Sequence, residues 1–366
     1  MKFSIQRESF LQPLSQVVGV VERRQTLPVL ANFLLAVRDN ELAITGTDME
    51  VELIGSVPAD VGEGGDITVP ARKLVDIVRA LPDGSQIKFA VQDGKATMSA
   101  GRSRFTLSTL PASEFPATDQ FETLEEVAVK ETALKTLLDK TAFAMANQDV
   151  RYYLNGLLLE FAGSRLRAVA TDGHRLAVCD HADPIKFEQE RQLIVPRKGV
   201  MELVRMLAES KHKVTLALGR SHVRLAKDGT TFTSKLIDGR FPDYQAVIPV
   251  GADKELQIDR ATFIQALQRA AILSNEKYRG VRLEAGDGFL KIIAHNPQHE
   301  EAVEEIEAEM NFDQLAVGFN VTYLLDALTA LEAETVSLEL KDANSSCLIS
   351  VPDDDSSRHV VMPLKL

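Results

Sequence analysis

The chain repeats itself three times, and that feature constrains its fold more than any other. The opening segment Phe3–Phe10 (FSIQRESF) returns as Val127–Leu134 (VAVKETAL) and as Leu256–Phe263 (LQIDRATF). A second segment, Ile67–Leu81 (ITVPARKLVDIVRAL), returns as Leu193–Leu207 (LIVPRKGVMELVRML) and more loosely as Ala316–Leu328 (AVGFNVTYLLDAL). A third, Leu42–Asp48 (LAITGTD), returns as Leu166–Asp172 (LRAVATD) and Leu290–Asn296 (LKIIAHN). Three landmarks holding one period of roughly 125 residues mark a tandem architecture in which each repeat is a structural unit. Size agrees, because 366 residues exceed the roughly 250–300 at which a single hydrophobic core stops growing. The period places three domains at 1–122, 123–250 and 251–366.

The first and second landmarks share one form: a short alternating strand that runs straight into an amphipathic helix. Short strands follow each, punctuated by turn signals such as Pro82-Asp83-Gly84, Gln92-Asp93-Gly94 and Asp228-Gly229. Each repeat therefore reads as two βαβββ units. The fold class is α+β, with helices segregated to one face of antiparallel sheets. Beyond a first helix near the N-terminus, flanked by Arg7, Arg23 and Arg24, the pattern predicts helices over 72–81, 130–143, 197–207, 260–272 and 320–332.

Charge is unevenly divided among these segments. The chain carries −12 at neutral pH, yet the helices at 72–81, 130–143, 197–207 and 260–272 sum to +7, through residues such as Arg72, Lys73, Lys135, Arg197, Lys198 and Arg269. The helix at 320–332 departs from this, with Asp326 and Glu332 alone. A uniformly acidic surface would repel phosphates. Basic helices gathered on one face of an otherwise acidic molecule suit a protein that surrounds an anionic rod. Helices packed side by side lie about 8–10 Å apart, so six on a closed circle leave almost no hole, whereas twelve leave roughly 26 Å, enough for a duplex about 20 Å across. Twelve helices require two chains, joined head to tail.

Several long motifs carry a family resemblance. They are Ser108–Pro116 (STLPASEFP), Asp149–Gly156 (DVRYYLNG), Ala170–Ala177 (ATDGHRLA), Val195–Gly199 (VPRKG), Asp238–Tyr244 (DGRFPDY), Leu273–Lys277 (LSNEK) and Val361–Leu364 (VMPL). Taken in order along the whole chain, they resemble the bacterial DNA polymerase III beta sliding clamps. The resemblance implies three clamp domains in a head-to-tail dimeric ring, with helices inside and sheets outside. It implies a processivity factor of DNA replication, not an enzyme. The ring would encircle double-stranded DNA without sequence specificity, be loaded by an ATP-dependent clamp loader, and tether DNA polymerases and repair proteins through short linear motifs.

The resemblance also implies site residues. The peptide cleft between the second and third domains maps to Leu154, Thr171, Gly173, His174, Arg175, Leu176, Pro242, Val247, Ser346, Val360, Met362 and Leu364, with Arg151, Tyr153 and Tyr323 near its rim. Met362 and Leu176 would form its floor. Ala246 stands where the family often carries Arg, and Leu364 where it often carries Met. DNA contacts map to Arg24, Arg72, Gln148, Tyr152, Tyr153, Arg197 and Lys198, which can reach phosphates or stack on bases. The dimer seam maps to the strand 101–107, with Arg102, Arg104, Phe105 and Leu107, facing Ile272, Leu273, Glu300, Glu301 and Glu304 of the third domain.

Two other classes of protein fit the sequence less well. An enzyme could use His174 beside Asp172, or a metal on Asp353–Asp355, but the sequence carries no phosphate-binding Gly-x4-Gly-Lys-Ser/Thr, no Gly-x-Gly-x-x-Gly after a strand and no His-Glu-x-x-His. A scaffold binding protein alone would not explain the basic helices or the Tyr152-Tyr153 pair. No cofactor or metal is expected. Two distant cysteines, Cys179 and Cys347, read as buried reduced thiols. Met1–Glu8 places charges where a signal peptide needs an apolar run, and no stretch is long enough to span a bilayer, so a cytoplasmic location away from membranes is expected.

Overall fold

The computed structural model describes residues 1–22, 27–116, 121–182 and 190–365. In the first repeat, β1 (Lys2–Gln6) leads into α1 (Arg7–Val17), then β2 (Asn32–Arg38), β3 (Glu41–Thr47), β4 (Val51–Pro58) and the short β5 (Asp60–Glu63). Its second half is β6 (Gly65–Pro70), α2 (Ala71–Ala80), β7 (Gln86–Gln92), β8 (Lys95–Ala100) and β9 (Ser103–Ser108). The second repeat runs β10 (Glu125–Lys130), α3 (Glu131–Asp139), β11 (Gly156–Ala162), β12 (Arg165–Thr171) and β13 (Arg175–Ala182), then β14 (Arg191–Pro196), α4 (Arg197–Met206), β15 (Lys213–Leu218), β16 (His222–Lys227) and β17 (Thr230–Lys235). The third runs β18 (Lys254–Asp259), α5 (Arg260–Ala271), β19 (Gly280–Gly286), β20 (Phe289–His295), β21 (Glu301–Glu307) and the two-residue β22 (Glu309–Met310), then β23 (Gln314–Asn320), α6 (Val321–Ala330), β24 (Thr335–Leu340), β25 (Cys347–Val351) and β26 (Asp354–Val361). These are six βαβββ units.

Local chemistry explains the boundaries. Asp259 caps α5 by accepting the Thr262 amide at 2.7 Å, and Asn320 caps α6 through the Thr322 amide at 2.9 Å. The hairpin β7–β8 turns at Asp93 and Gly94, with φ of +50° and +70°, the left-handed pair that a tight hairpin needs. The helix expected over 130–143 ends earlier. Thr141 donates its hydroxyl back to the Leu137 carbonyl at 2.6 Å and its amide to Leu138, so the chain tightens into a 3-10 turn at Ala142–Ala144. Helix α1 carries Pro13 and lies close on β4, where a Cβ at Gly55 would stand 2.8 Å from that proline.

All the ladders are antiparallel, and strands are exchanged within each repeat. The opening strand of one unit joins the three strands of the other: β1 beside β7 and β6 beside β2, β10 beside β15 and β14 beside β11, β18 beside β24 and β23 beside β19. The resulting four-strand groups then fuse across repeats. β4 pairs with β17 (Leu53 opposite Phe232) to build an eight-stranded sheet, and β13 pairs with β26 (Leu176 opposite Val360) within a nine-stranded one. Five- and four-stranded sheets end at β9 and β21. Consequently the chain forms two compact units that cut through the second repeat: Met1–Thr132 with Met201–Leu236, and Ala133–Val200 with Ile237–Leu366.

In the second unit, α5 and α6 bury Phe263, Leu267, Leu324 and Leu328 against Ile292, Phe319 and Leu338 of the sheets. Cys179 and Cys347 are buried free thiols, and burial pushes Cys179 up to about 11. Among the described residues, no helix is long and apolar enough to cross a membrane.

Candidate functional site

The site is built on the β12–β13 hairpin. Thr171 donates its hydroxyl to the Arg175 carbonyl at 2.6 Å and accepts the Gly173 amide at 3.1 Å. Asp172 accepts the amides of His174 and Arg175 at 2.9 and 3.0 Å, closing the turn with one carboxylate. Gly173 has a φ of +87°, and a Cβ there would lie 2.9 Å from the Arg151 guanidinium, so the turn and the close packing both call for glycine. Beyond β26, the Met362 amide donates to the His174 carbonyl at 2.9 Å, and the Leu364 amide to Gly318 at 2.8 Å. The C-terminal segment is thereby tied to the hairpin through Met362 and to β23 through Leu364.

A second wall comes from 242–247. Tyr244, buried, donates its hydroxyl to the Glu160 carboxylate and accepts from Arg167 Nη1 at 2.9 Å. Arg167 forks onto Asp180 at 2.6 and 2.7 Å, which raises its pKa and keeps it charged although buried. Burial pushes the Tyr244 phenol up, so it remains a donor.

These walls enclose a cavity of about 170 Å³ lined by Arg151, Tyr153, Leu154, Thr171, Gly173, Arg175, Leu176, Pro242, Asp243, Tyr244, Val247, Val360 and Met362. It is smaller than the roughly 300–1,000 Å³ of typical small-molecule pockets and suits one or two side chains. Its base joins a buried apolar cluster of Leu158, Val169, Leu176, Ile194 and Val360. Asp243 and Tyr244 join the lining beyond the expected set, and the DGRFPDY motif contains both. His174, Tyr323, Ser346 and Leu364 do not line the cavity. His174 and Tyr323 stack at 6.5 Å beside it.

Both arginines of the lining are engaged. Arg151 forks onto Asp149 at 3.0 and 2.8 Å and draws that carboxyl down to about 2. Arg175 donates to Asp172 (3.1 Å), Asp326 (2.5 Å) and the Phe143 carbonyl (2.8 Å).

The expected DNA residues fall in both units. Arg24 lies outside the described residues. Arg72, on α2, donates to the Val21 carbonyl at 2.8 Å. In the other unit, Tyr152 is exposed and packs edge-on against Tyr153 at 5.7 Å, and Gln148 sits at a φ of +57° in the same segment. Arg197 is tied to that segment, its side chain donating to Met145 at 3.1 Å and its amide to Asn155 at 2.9 Å. Lys198 follows it, half-buried, at the start of α4.

Of the expected seam residues, Arg102 and Arg104 are exposed at the β9 edge, with Phe105 half-buried and Leu107 buried. Ile272 is 76% exposed just past α5, next to the half-buried Leu273. The acidic residues already have partners in their own chain. Arg269 forks onto Glu304 at 3.0 and 2.6 Å, Asn296 donates to Glu300 at 2.5 Å, and His295 lies 3.6 Å from Glu301. Pro352 and Asp353 form the β25–β26 turn, with Asp353 at a φ of +60°, and Asp354 opens β26 and accepts the Ser356 amide.

Tandem α+β domains of two βαβββ units each, with a cavity sized for a side chain, define the clamp class. Family models of the DNA polymerase III beta subunit match throughout: the N-terminal domain over residues 1–119, the central domain over 128–243 and the C-terminal domain over 245–365. The beta sliding clamp of Pseudomonas aeruginosa is 53% identical over the full length of both chains. A crystal structure of DNA polymerase III subunit beta from that organism superposes with a TM-score of 0.95 at 52% identity, again over all of both chains. The Caulobacter crescentus beta sliding clamp, with PEG bound to its proposed beta-motif tethering region, superposes at 0.94 with 38% identity, over all of this chain and 99% of the other. The chain belongs to the DNA polymerase III beta subunit family. Its function is that of a sliding clamp in DNA replication, a non-catalytic processivity factor.

Proposed function

We propose that two copies close head to tail into a ring around double-stranded DNA, with helices inside and sheets outside. The observation that carries this is a pattern of strand pairing. Where the first repeat meets the second, the last long strand of one unit (β4) pairs with the last strand of the second unit of the next repeat (β17). Where the second meets the third, β13 pairs with β26 by the same rule. Continued once more, the rule pairs β21 with β9, and these two strands end their sheets. An unpaired edge is a row of open donors and acceptors that invites another strand. In a second copy, β9 meets β21 with Arg102 and Arg104 facing a strand that exposes Glu301, Glu305 and Glu307. The repeats then act as domains 1–122, 123–250 and 251–366 in a cytoplasmic homodimer. Arg72, Gln148, Tyr152, Tyr153, Arg197 and Lys198, with Arg24, touch the DNA backbone or unpaired bases without reading sequence.

The cavity accepts a Leu or Phe side chain of a short linear peptide from a DNA polymerase, a repair protein or the clamp loader. Leu154, Leu176, Val360 and Met362 supply the apolar cup, and the polar rim orients the peptide backbone.

Encirclement is tested by loading the protein onto closed circular DNA and then linearising half of the sample in moderate salt. Rings stay on circles and leave linear DNA, because topology needs no contact energy while phosphate contacts are screened. Equal loss from both substrates overturns the ring.

A further inference from the structure

Among the six α-helices of the described residues, α6 is the unusual one, carrying one acidic side chain over Val321–Ala330 and no basic one. At the sixth position of α4, Glu202 pairs with Arg205 of its own helix. Asp326, at the corresponding place in α6, reaches instead to the cavity wall, where its carboxylate meets Arg175 Nη1 at 2.5 Å. Asp326 is not itself part of the lining.

Arg175 is held from every side. Its guanidinium stands 4.5 Å from the Tyr323 ring and 5.3 Å from the Phe143 ring, and its remaining donors go to Asp172 and the Phe143 carbonyl. The two carboxylates differ in what else they do. Asp172 also accepts two backbone amides and closes the hairpin, so it is part of the scaffold. Asp326 bonds a side chain, and removing it alters charge more than architecture. Arg151, the other lining cation, already forks onto Asp149.

We infer that Asp326 is a specificity-determining residue: by setting a second carboxylate on Arg175 beside that of Asp172, it more than offsets the guanidinium from outside the cavity, so the site accepts apolar anchors and disfavours acidic flanks. This rests on the reading of the cavity as a peptide site. With Asp326 replaced by Asn, Arg175 keeps its place and its ion pair with Asp172, and the wall loses the second of two carboxylates facing one guanidinium, so a carboxylate on an incoming peptide is repelled less.

The test uses the full chain and two fluorescein-labelled peptides with the same Leu and Phe anchors, differing by one Ser→Asp. Fluorescence anisotropy gives the ratio of their dissociation constants. Asp326→Asn should move that ratio toward the acidic peptide by about two- to fivefold at low salt, with the shift vanishing near 1 M salt. Asp326→Glu should keep the original ratio. A purely structural role would weaken both peptides equally at every salt concentration, and an unchanged ratio overturns the inference while leaving the peptide site standing. If the unaltered protein binds neither peptide, the peptide-site reading itself fails and this inference with it.

Discussion

The ends of the unit helices show one problem solved with different residues. The last carbonyls of a helix lack partners and carry partial negative charge. In the first repeat Arg7 opens α1 and donates to the Val78 and Arg79 carbonyls at the end of α2, at 3.1 and 2.9 Å. In the third, Arg260 opens α5 and donates to Leu328 of α6 at 2.7 Å. The second repeat has Glu131 at that position, which cannot donate. Lys227 of β16 takes over, donating to the Met206 carbonyl at 3.2 Å, and Glu131 pairs with it at 2.5 Å while accepting the Ala208 amide at 2.6 Å. Burial alone would raise the Glu131 pKa, but the Lys227 ammonium and the Ala208 amide outweigh it and hold the carboxyl below its usual value of 4.5. A depressed carboxylate contributes stability that is complete above its unfolded pKa and lost as pH falls through the folded value. Glu131→Gln should therefore cost about 1–3 kcal/mol at pH 7, because the amide can still accept from Lys227 and Ala208 but no longer offsets the ammonium. Differential scanning calorimetry from pH 7 down into the acid range should show the gap between variant and parent melting temperatures holding steady to about 4.5 and narrowing below it.

At the scale of elements, helix α5 would separate folding from assembly in the proposed ring. Its inner face, Phe263, Ala266, Leu267 and Ala270, is fully buried in its own core. Ile272, one residue past the helix, is exposed beside β21, which also leaves Val303 exposed. An exposed aliphatic pair next to an open strand edge is what a closing partner covers. Ile272→Ala with Leu273→Ala should weaken each seam by about 2–4 kcal/mol. The expected result by sedimentation velocity is monomers at micromolar concentration whose thermal melt stays close to that of the parent. A double variant that stays dimeric rules out this seam.

For the molecule as a whole, the cavity is an extension of a core and not a free-standing cup, and its two floor residues differ accordingly. Leu176 is 3% exposed and belongs to the buried cluster, whereas Met362 is only half-buried. Met362→Ala should lower peptide affinity by about 1–3 kcal/mol with little change in melting temperature. Leu176→Ala should cost affinity and also about 2–5 kcal/mol of stability. Anisotropy run beside a thermal melt separates the two, and a stability loss on Met362→Ala alone would place that side chain in the core.

Periodicity in the sequence determined the three repeats, the two units within each and nearly every helix, because amphipathic spacing and turn residues act locally and recur. It failed at α3, where the Thr141 hydroxyl competes for a backbone carbonyl, a choice made by one side chain. Motif resemblance located most of the cavity lining. What only the tertiary structure decided is how strands are shared. Each opening strand leaves its own unit for the other, and the sheets run across repeat boundaries, so the compact units cut the second repeat in two. Backbone hydrogen bonds between strands carry no side-chain signature, and alternation names a strand's faces without naming its neighbours. The same holds for charge: the sequence counts Asp326 as an acid on a helix, and only folding brings it to Arg175 across 151 residues of chain.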